Sequence, residues 1–225
     1  MTVAKAHAGS TPSGMRDWWL RTLLVLQRPR PVFVALRDES KQSLSDRSEP
    51  IMAIVILAGI AGALASGTAG HLMDDSSYDD VLVAIWAFIA GGISGVFAYF
   101  ILGAFVHWGA KIVGSQGTYR RNRQIVAFAA TPVALSLVLW PVKLALYGND
   151  VFRTGGRDAG TGSHVFAALE LAFLAWAVAL LVTGVRAVHG WTRQRAIAAC
   201  ACAVMVAGSV AGVLWLLTAL VDRGV

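Results

Sequence analysis

The chain has 225 residues, of which 56% are hydrophobic and 14% are charged, and its formal net charge is +6. Soluble domains carry about 25% charged residues, so this composition excludes an ordinary soluble protein. The basic residues lie between long apolar blocks, where they set membrane topology and contact anionic lipid headgroups, so we expect no nucleic-acid partner.

The N-terminal part divides into two segments. Residues 1–15 are small and polar, and we expect a disordered tail. Residues 16–49 are predicted to be a cytoplasmic amphipathic region. Its helix has a polar side with Asp17, Arg21 and Arg28 and an apolar side with Trp19, Leu23 and Leu26. Such a helix either lies in the membrane interface or packs on the protein's own surface.

Five apolar blocks follow, and each exceeds the roughly 20 residues that a membrane-spanning helix needs. The predicted spans are 51–73, 81–110, 124–147, 164–185 and 196–221, within a transmembrane domain of residues 50–222. The predicted fold class is therefore all-α: a polytopic membrane protein with five transmembrane helices and an N-terminal interfacial helix.

The connections between the blocks alternate in charge. Residues 1–49 are rich in Lys and Arg, the connection 74–80 has aspartates and no basic residue, and the next connection is basic again. Positive loops remain in the cytoplasm. We therefore expect a multi-pass protein of the cell membrane with a cytoplasmic N-terminus and an extracytoplasmic C-terminus.

Two ionisable residues lie inside predicted spans. Lys143 and Glu170 are on consecutive helices, both about 6–9 Å below the same outer interface at about 1.5 Å per residue. Charges at this depth are usually paired or reach toward water. The sequence leaves two possibilities open, a Lys143–Glu170 ion pair and a Lys143 side chain that extends to the interface.

Small residues recur at helix-packing spacing in three blocks. Helices in lipid associate by close backbone approach, which small residues permit. We expect packing within the chain at these positions, with homodimerisation as the alternative. The candidates are Gly59, Gly67, Gly91, Gly95, Gly208 and Gly212.

Residue types that carry catalysis or bind metals are scattered. Cys200 and Cys202 have a Cys-Ala-Cys spacing that fits neither zinc nor thioredoxin motifs. The histidines show no HExxH pattern, and no Ser/His/Asp set can be argued. We therefore predict no catalytic, cofactor-binding or metal site, and no enzyme.

The segment from His107 to Pro132 is the most distinctive, and it reads HWGAKIVGSQGTYRRNRQIVAFAATP. Its two loop glycines permit a tight turn between antiparallel spans, and the basic residues after them are placed at headgroup level. Pro132 removes one helix hydrogen bond, and Thr131 is placed to satisfy the freed carbonyl. We predict a lipid-binding or partner-binding site at Gly114, Gly117, Tyr119, Arg120, Arg121 and Arg123.

Together with the sequence RPRPVF at residues 28–33 and the five-span pattern, this segment resembles bacterial members of the Yip-one domain family, the Ypt/Rab-interacting membrane proteins. The resemblance covers roughly residues 17–221. It implies a five-helix bundle, a cytoplasmic N-terminal region and no known catalytic residues. Eukaryotic relatives contact small GTPases and each other in vesicle traffic. The Asp-Leu-Tyr-Gly-Pro motif of many relatives is absent before the first span.

The expected function is that of a non-enzymatic membrane adaptor or membrane-organising protein. The alternative is a transporter of a lipid or small solute, or an accessory subunit of one, which would need a continuous polar track past Glu170 and Lys143. The expected partners are anionic lipid headgroups on the cytoplasmic side, with a membrane protein or a second copy of the chain as further possibilities.

Overall fold

The computed structural model describes residues 12–157 and 160–222, and these residues form helices and no strand. Five helical segments are long and apolar enough to cross a membrane, with mean hydropathies between 1.5 and 2.4. Their bounds are Lys41–Leu64, Asp80–Ile112, Tyr119–Phe152, Thr161–His189 and Arg193–Ala219. The chain is an all-α, multi-pass membrane protein, as the sequence predicts.

Two short helices precede the spans, α1 (Pro12–Gln27) and α2 (Pro29–Ala35). Helix α1 begins inside the predicted disordered tail 1–15, and residues 1–11 lie outside the described part of the chain. It buries Trp18, Thr22 and Val25 and exposes Trp19, Leu20, Leu23 and Leu24. The helix therefore packs on the bundle, which is one of the two placements that the sequence left open, and it also presents an apolar surface outward.

Helix α3 (Lys41–Leu64) is shifted from the predicted span 51–73, and it crosses the predicted domain boundary at residue 50. It begins early because the Ser40 hydroxyl accepts a hydrogen bond from the Ser43 N–H at 3.3 Å and caps the first turn. It ends early where the Ser66 hydroxyl donates to the Ala63 carbonyl at 2.6 Å, because such side-chain bonds compete with helix continuation. A 3₁₀ helix, Ala69–Asp74, follows.

The second span is the unbroken helix α4 (Asp80–Ile112), whereas the third span is segmented. The segments are α5 (Tyr119–Ala129), α6 (Thr131–Leu135), a 3₁₀ helix (Ser136–Val138), α7 (Leu139–Tyr147) and a 3₁₀ helix (Gly148–Phe152). Pro132 has no N–H to bond the Phe128 carbonyl. The Thr131 hydroxyl donates to that carbonyl at 2.8 Å, as the sequence predicts.

Helices α8 (Thr161–His189) and α9 (Arg193–Asp222) complete the bundle. Gly190, with φ +68°, ends α8 in the left-handed conformation that glycine adopts without strain. Consecutive spans are antiparallel. We call the end with α2 and the connections 113–118 and 190–192 the basic end, and the end with residues 65–79 and 148–157 the acidic end.

Close backbone contacts hold α4 against its neighbours. A Cβ atom on Gly59 would overlap the Gly91 carbonyl and lie 2.5 Å from Gly95 Cα. Position 59, where α3 crosses α4, therefore tolerates only glycine. Gly109, which the sequence analysis did not select, makes the equivalent approach to Ala199 and Ala203 of α9.

The other three predicted packing glycines do not pack within the described chain. A Cβ atom on Gly67, Gly208 or Gly212 would meet nothing within 4 Å. Gly67 lies beyond the end of α3 in a turn, where no helix faces it. Gly208 and Gly212 lie on an exposed stretch of α9. Spacing alone does not show which face of a helix meets another helix of the same chain.

Two apolar clusters fill the bundle at different depths. The larger one is near the basic end, and Phe33, Leu36, Ile125, Phe128 and Val185 are fully buried in it. The smaller one is near the acidic end, where the Trp140 and Phe152 rings stack at 5.8 Å. Because α2 contributes Phe33 and Leu36, this short helix is an integral part of the basic end.

Candidate functional site at the basic end

The 113–118 connection is shaped by its two predicted glycines. Gly114 has φ +88°, a conformation that side chains disfavour. A Cβ atom on Gly117 would lie 2.6 Å from His189 Cε1, so this glycine lets the connection approach the end of α8. The Thr118 hydroxyl then accepts from the Arg121 N–H at 3.3 Å and caps α5.

A buried asparagine joins three helices at this end. Asn122, which is fully buried, donates through Nδ2 to the Thr118 carbonyl at 3.2 Å, and this fixes the orientation of its amide. The same nitrogen lies 3.1 Å from His107 Nδ1, which must accept, and Asn122 Oδ1 accepts from His189 Nε2 at 3.2 Å. Asn122 therefore ties α5 to both α4 and α8.

The network continues into the connection. With its proton on Nε2, His189 presents Nδ1 as an acceptor to the Ser115 hydroxyl at 3.3 Å. The Ser115 oxygen in turn accepts from the Gly117 N–H at 2.9 Å. The His189 ring also stacks on Trp191 at 4.6 Å. The connection is thus fixed by hydrogen bonds rather than left as a free loop.

The three arginines of the predicted binding site have different surroundings in the structure. Arg120 is exposed. Arg121 forms an ion pair with Glu39 at 3.1 Å and donates to the Arg37 carbonyl at 3.2 Å. Arg123 points along α4, where its stem packs against Gly103. Residues within four positions on one helix point in different directions, and tertiary contacts decide their neighbours.

Arg123 lies among aromatic rings. Its guanidinium carbon is 4.5 Å from the Phe100 ring centre, 4.8 Å from that of Tyr119 and 5.1 Å from that of Tyr99. The Tyr119 hydroxyl donates to the Phe100 carbonyl at 2.8 Å, which holds its ring in place. Tyr119, predicted as part of the binding site, therefore helps to enclose Arg123.

The N-terminal region adds a buried cation that the sequence analysis missed. Arg47 is fully buried, donates to the Asp38 and Ser43 carbonyls at 2.6 and 2.9 Å, and lies 5.0 Å from the Trp18 ring centre. The Arg21 guanidinium carbon also lies near Trp18, 4.7 Å from the ring centre. Arg47 precedes the apolar block by a few residues, and nothing in its local sequence distinguishes it from a solvated linker arginine.

A second missed feature is a polar pocket of about 240 Å³ between α2 and the end of α8. We call it the arginine pocket because Arg30, Arg37 and Arg186 line it and no acidic residue does. Arg37 donates to the Ala187 and Val188 carbonyls and so fastens α2 to the α8 C-terminus. Arg186, a basic residue in the last turn of α8, was the one feature of the sequence that pointed to this pocket. The sequence did not show that Arg30 and Arg37 of the α2 region would lie beside it.

The predicted intramembrane pair lies far from this site. Lys143 Nζ is 3.4 Å from Glu170 Oε1 and 4.3 Å from the Trp140 ring centre, toward the acidic end. Of the two possibilities that the sequence left open, the structure has the ion-paired arrangement. Among the described residues, no group of three His, Cys, Asp or Glu side chains could hold a metal ion.

The family model described as the Yip1 domain matches residues 23–216. The chain belongs to the Yip1 domain family. The match runs from α1 through all five spans into α9 and includes the connection at the basic end. No curated protein and no solved structure matches the chain. In this Yip1 domain, the segment that carried the sequence resemblance is the one that the Asn122 network holds in place.

Proposed function

We propose that this Yip1 domain protein is a non-catalytic membrane adaptor or membrane organiser that binds anionic groups at its basic end. The observation that carries the proposal is the arginine pocket. Three cations line one polar cavity with no acidic neighbour in its lining. Arginine binds phosphate and carboxylate oxygens through paired N–H donors.

The position of the pocket supports a headgroup or an acidic protein segment as the bound group. By the positive-inside rule the basic end belongs at the cytoplasmic leaflet, where each basic residue near anionic lipid contributes about 1 kcal/mol of attraction. The apolar outward face of α1, with Leu20 and Leu23, would lie in the same interface.

The transport alternative is less well supported by the cavities. It predicts a polar track past Lys143 and Glu170. The cavity of about 570 Å³ between α3, α4 and the third span is almost wholly apolar, and neither residue lines it.

The test compares removal of two charges at the arginine pocket with removal of one exposed charge at the acidic end. The Arg30→Gln/Arg186→Gln double variant and the control Arg153→Gln, at an exposed position of the acidic end, are extracted from native membrane in polymer-bounded discs. Bound lipids and proteins are then identified by mass spectrometry. We expect the double variant to lose anionic lipid or an accompanying protein and the control to keep both. If the double variant keeps the same bound lipids and proteins as the wild type, the proposal is refuted.

A further inference from the structure

An apolar groove lies inside the bundle, apart from the arginine pocket. Its volume is about 570 Å³, within the about 300–1,000 Å³ typical of small-molecule sites. Small side chains form much of its wall: Gly59, Gly62, Ala63, Ala90, Ala98 and Ala130. Leu102 and Leu174 also line it and are exposed, so the groove opens sideways toward the bilayer.

The dimensions of the groove suit a hydrocarbon chain. On α4 it extends from Trp86 to Leu102, which is about 24 Å at about 1.5 Å per residue. Its lining contains no charged residue. An empty apolar void of this size is unfavourable because the lining atoms lose their packing contacts, and the surrounding medium offers acyl chains to fill it.

One polar group in the groove lacks a partner. Tyr99 is 9% exposed and lines the cavity, and its hydroxyl makes no hydrogen bond to any residue in 12–157 or 160–222. The hydroxyl oxygen is not one of the fully buried atoms without a partner, so it keeps some exposure. The hydroxyl is therefore available as a donor to an oxygen of a bound molecule.

Arg123 stands beside Tyr99 and also lacks a polar partner. Within the described chain its guanidinium makes no ion pair or hydrogen bond, and its Nε atom is buried. It lies four residues into the third span, about 6 Å along the helix, and the flanking Phe100 and Tyr119 rings are exposed toward the membrane. An unpaired cation at this depth is costly, and lipid phosphate is the anion that reaches it.

We propose that the groove binds one glycerophospholipid, with its phosphate on Arg123, an ester oxygen accepting from the Tyr99 hydroxyl, and one acyl chain running along α4 toward Trp86. Arg123 does not itself line the groove, but its guanidinium carbon is 5.1 Å from the ring centre of Tyr99, which does. This site is separate from the arginine pocket, and its occupancy does not depend on the proposed adaptor function.

The test is native mass spectrometry of the full chain titrated with dioleoyl phosphatidylglycerol in detergent. Gly62→Phe fills the groove from a position where a Cβ atom meets nothing within 4 Å, and Gly208→Phe is its matched control at an equally open position outside the groove. Arg123→Gln removes the proposed phosphate ligand, and Arg193→Gln is its control at an exposed position at the start of α9. Tyr99→Phe keeps the ring and removes only the hydroxyl.

We expect the wild type and both controls to retain one phospholipid. Gly62→Phe and Arg123→Gln should each weaken this binding about tenfold or more, as loss of a charged or well-packed contact does. Tyr99→Phe should weaken it about fivefold, which corresponds to one hydrogen bond. The Arg30→Gln/Arg186→Gln double variant should keep the single lipid, which separates this site from the arginine pocket.

Three outcomes would overturn the proposal. Equal lipid retention in Gly62→Phe and wild type would show that the groove is not the site. If Gly62→Phe loses the phospholipid and Arg123→Gln retains it fully, the groove holds a hydrocarbon chain and Arg123 does not bind the phosphate. Displacement of the lipid by inorganic phosphate alone would show a free-anion site. Tyr99→Phe, which preserves packing, keeps the test valid if a larger substitution prevents folding.

Discussion

Lys143 and Glu170 pair across the third and fourth spans with 3.4 Å between Nζ and Oε1, and both side chains are mostly buried. Trp140 and Phe166 lie beside the ammonium group at 4.3 and 5.5 Å from its nitrogen. The pair thus has aromatic rings rather than water on part of its surface, which strengthens the attraction between the two charges.

We predict that Lys143→Met and Glu170→Gln each lower the free energy of unfolding by about 1–3 kcal/mol, between the values for exposed and fully buried pairs. The double variant should recover part of the loss, because no lone charge remains. Thermal unfolding in detergent measures the stability of the two single variants and the double variant. Strictly additive losses would rule out the pair, and Arg157→Met, which breaks the exposed Arg157–Asp150 pair, should change stability little.

Asn122→Ala should lower the free energy of unfolding by about 1–3 kcal/mol, because it leaves part-buried ring nitrogens of His107 and His189 without their Asn122 partner. The control is Gln116→Ala, at an exposed position of the same connection, which should be near neutral. Denaturant or thermal unfolding measures the stability of both variants. Similar stability of the two variants would mean that the Asn122 network contributes little.

Gly59→Leu should separate α3 from α4, because its side chain would enter the backbone of Gly91 and Gly95. Overpacking of this kind costs about 1–3 kcal/mol and sometimes more. Gly208→Leu makes the same chemical change where a Cβ atom has open space, so it should leave the melting temperature unchanged. Equal melting temperatures for the two variants would contradict the close α3–α4 contact.

The acidic end should respond to pH through Asp74. Hydrogen bonds from the Thr154 hydroxyl and backbone N–H hold the pKa of Asp74 below its ordinary value of 3.8. A lowered folded-state pKa means that the contact stabilises the fold fully above pH 3.8 and is lost as pH falls through the folded-state value. In an NMR titration, Thr154→Val should move the Asp74 midpoint back upward.

Asp75 provides the internal control for that titration. Its pKa is also lowered, but by the Ser77 backbone and hydroxyl. The midpoint of Asp75 should therefore stay unchanged in Thr154→Val. An Asp74 midpoint that also stays unchanged would show that Thr154 does not hold this carboxylate.

The membrane orientation is predicted from loop charge, with the basic end in the cytoplasm. A reporter that is active only in the cytoplasm should stay silent when fused after Val225 and should be active when fused before Met1. Activity of the C-terminal fusion would contradict an odd number of spans or the assigned orientation.

The sequence by itself determined the five spans, because lipid requires each span to satisfy its backbone hydrogen bonds internally over about 20 apolar residues. It also determined the family, since the His107–Pro132 segment carried a resemblance that the Yip1 domain match confirmed. The role of Thr131 beside Pro132 was predictable too, because it depends only on neighbours within one helical turn.

Only the tertiary structure decided which residues meet. Arg121 reaches Glu39, Arg123 reaches Tyr99, and Arg47 is buried by Trp18, although all three arginines lie in basic stretches of the sequence. Gly59 packs and Gly208 does not, although their spacing patterns are alike. Hydropathy fixes where a helix lies in the membrane, but rotation about its own axis is set by packing against other helices. That rotation assigns each side chain to a partner, to lipid or to the groove.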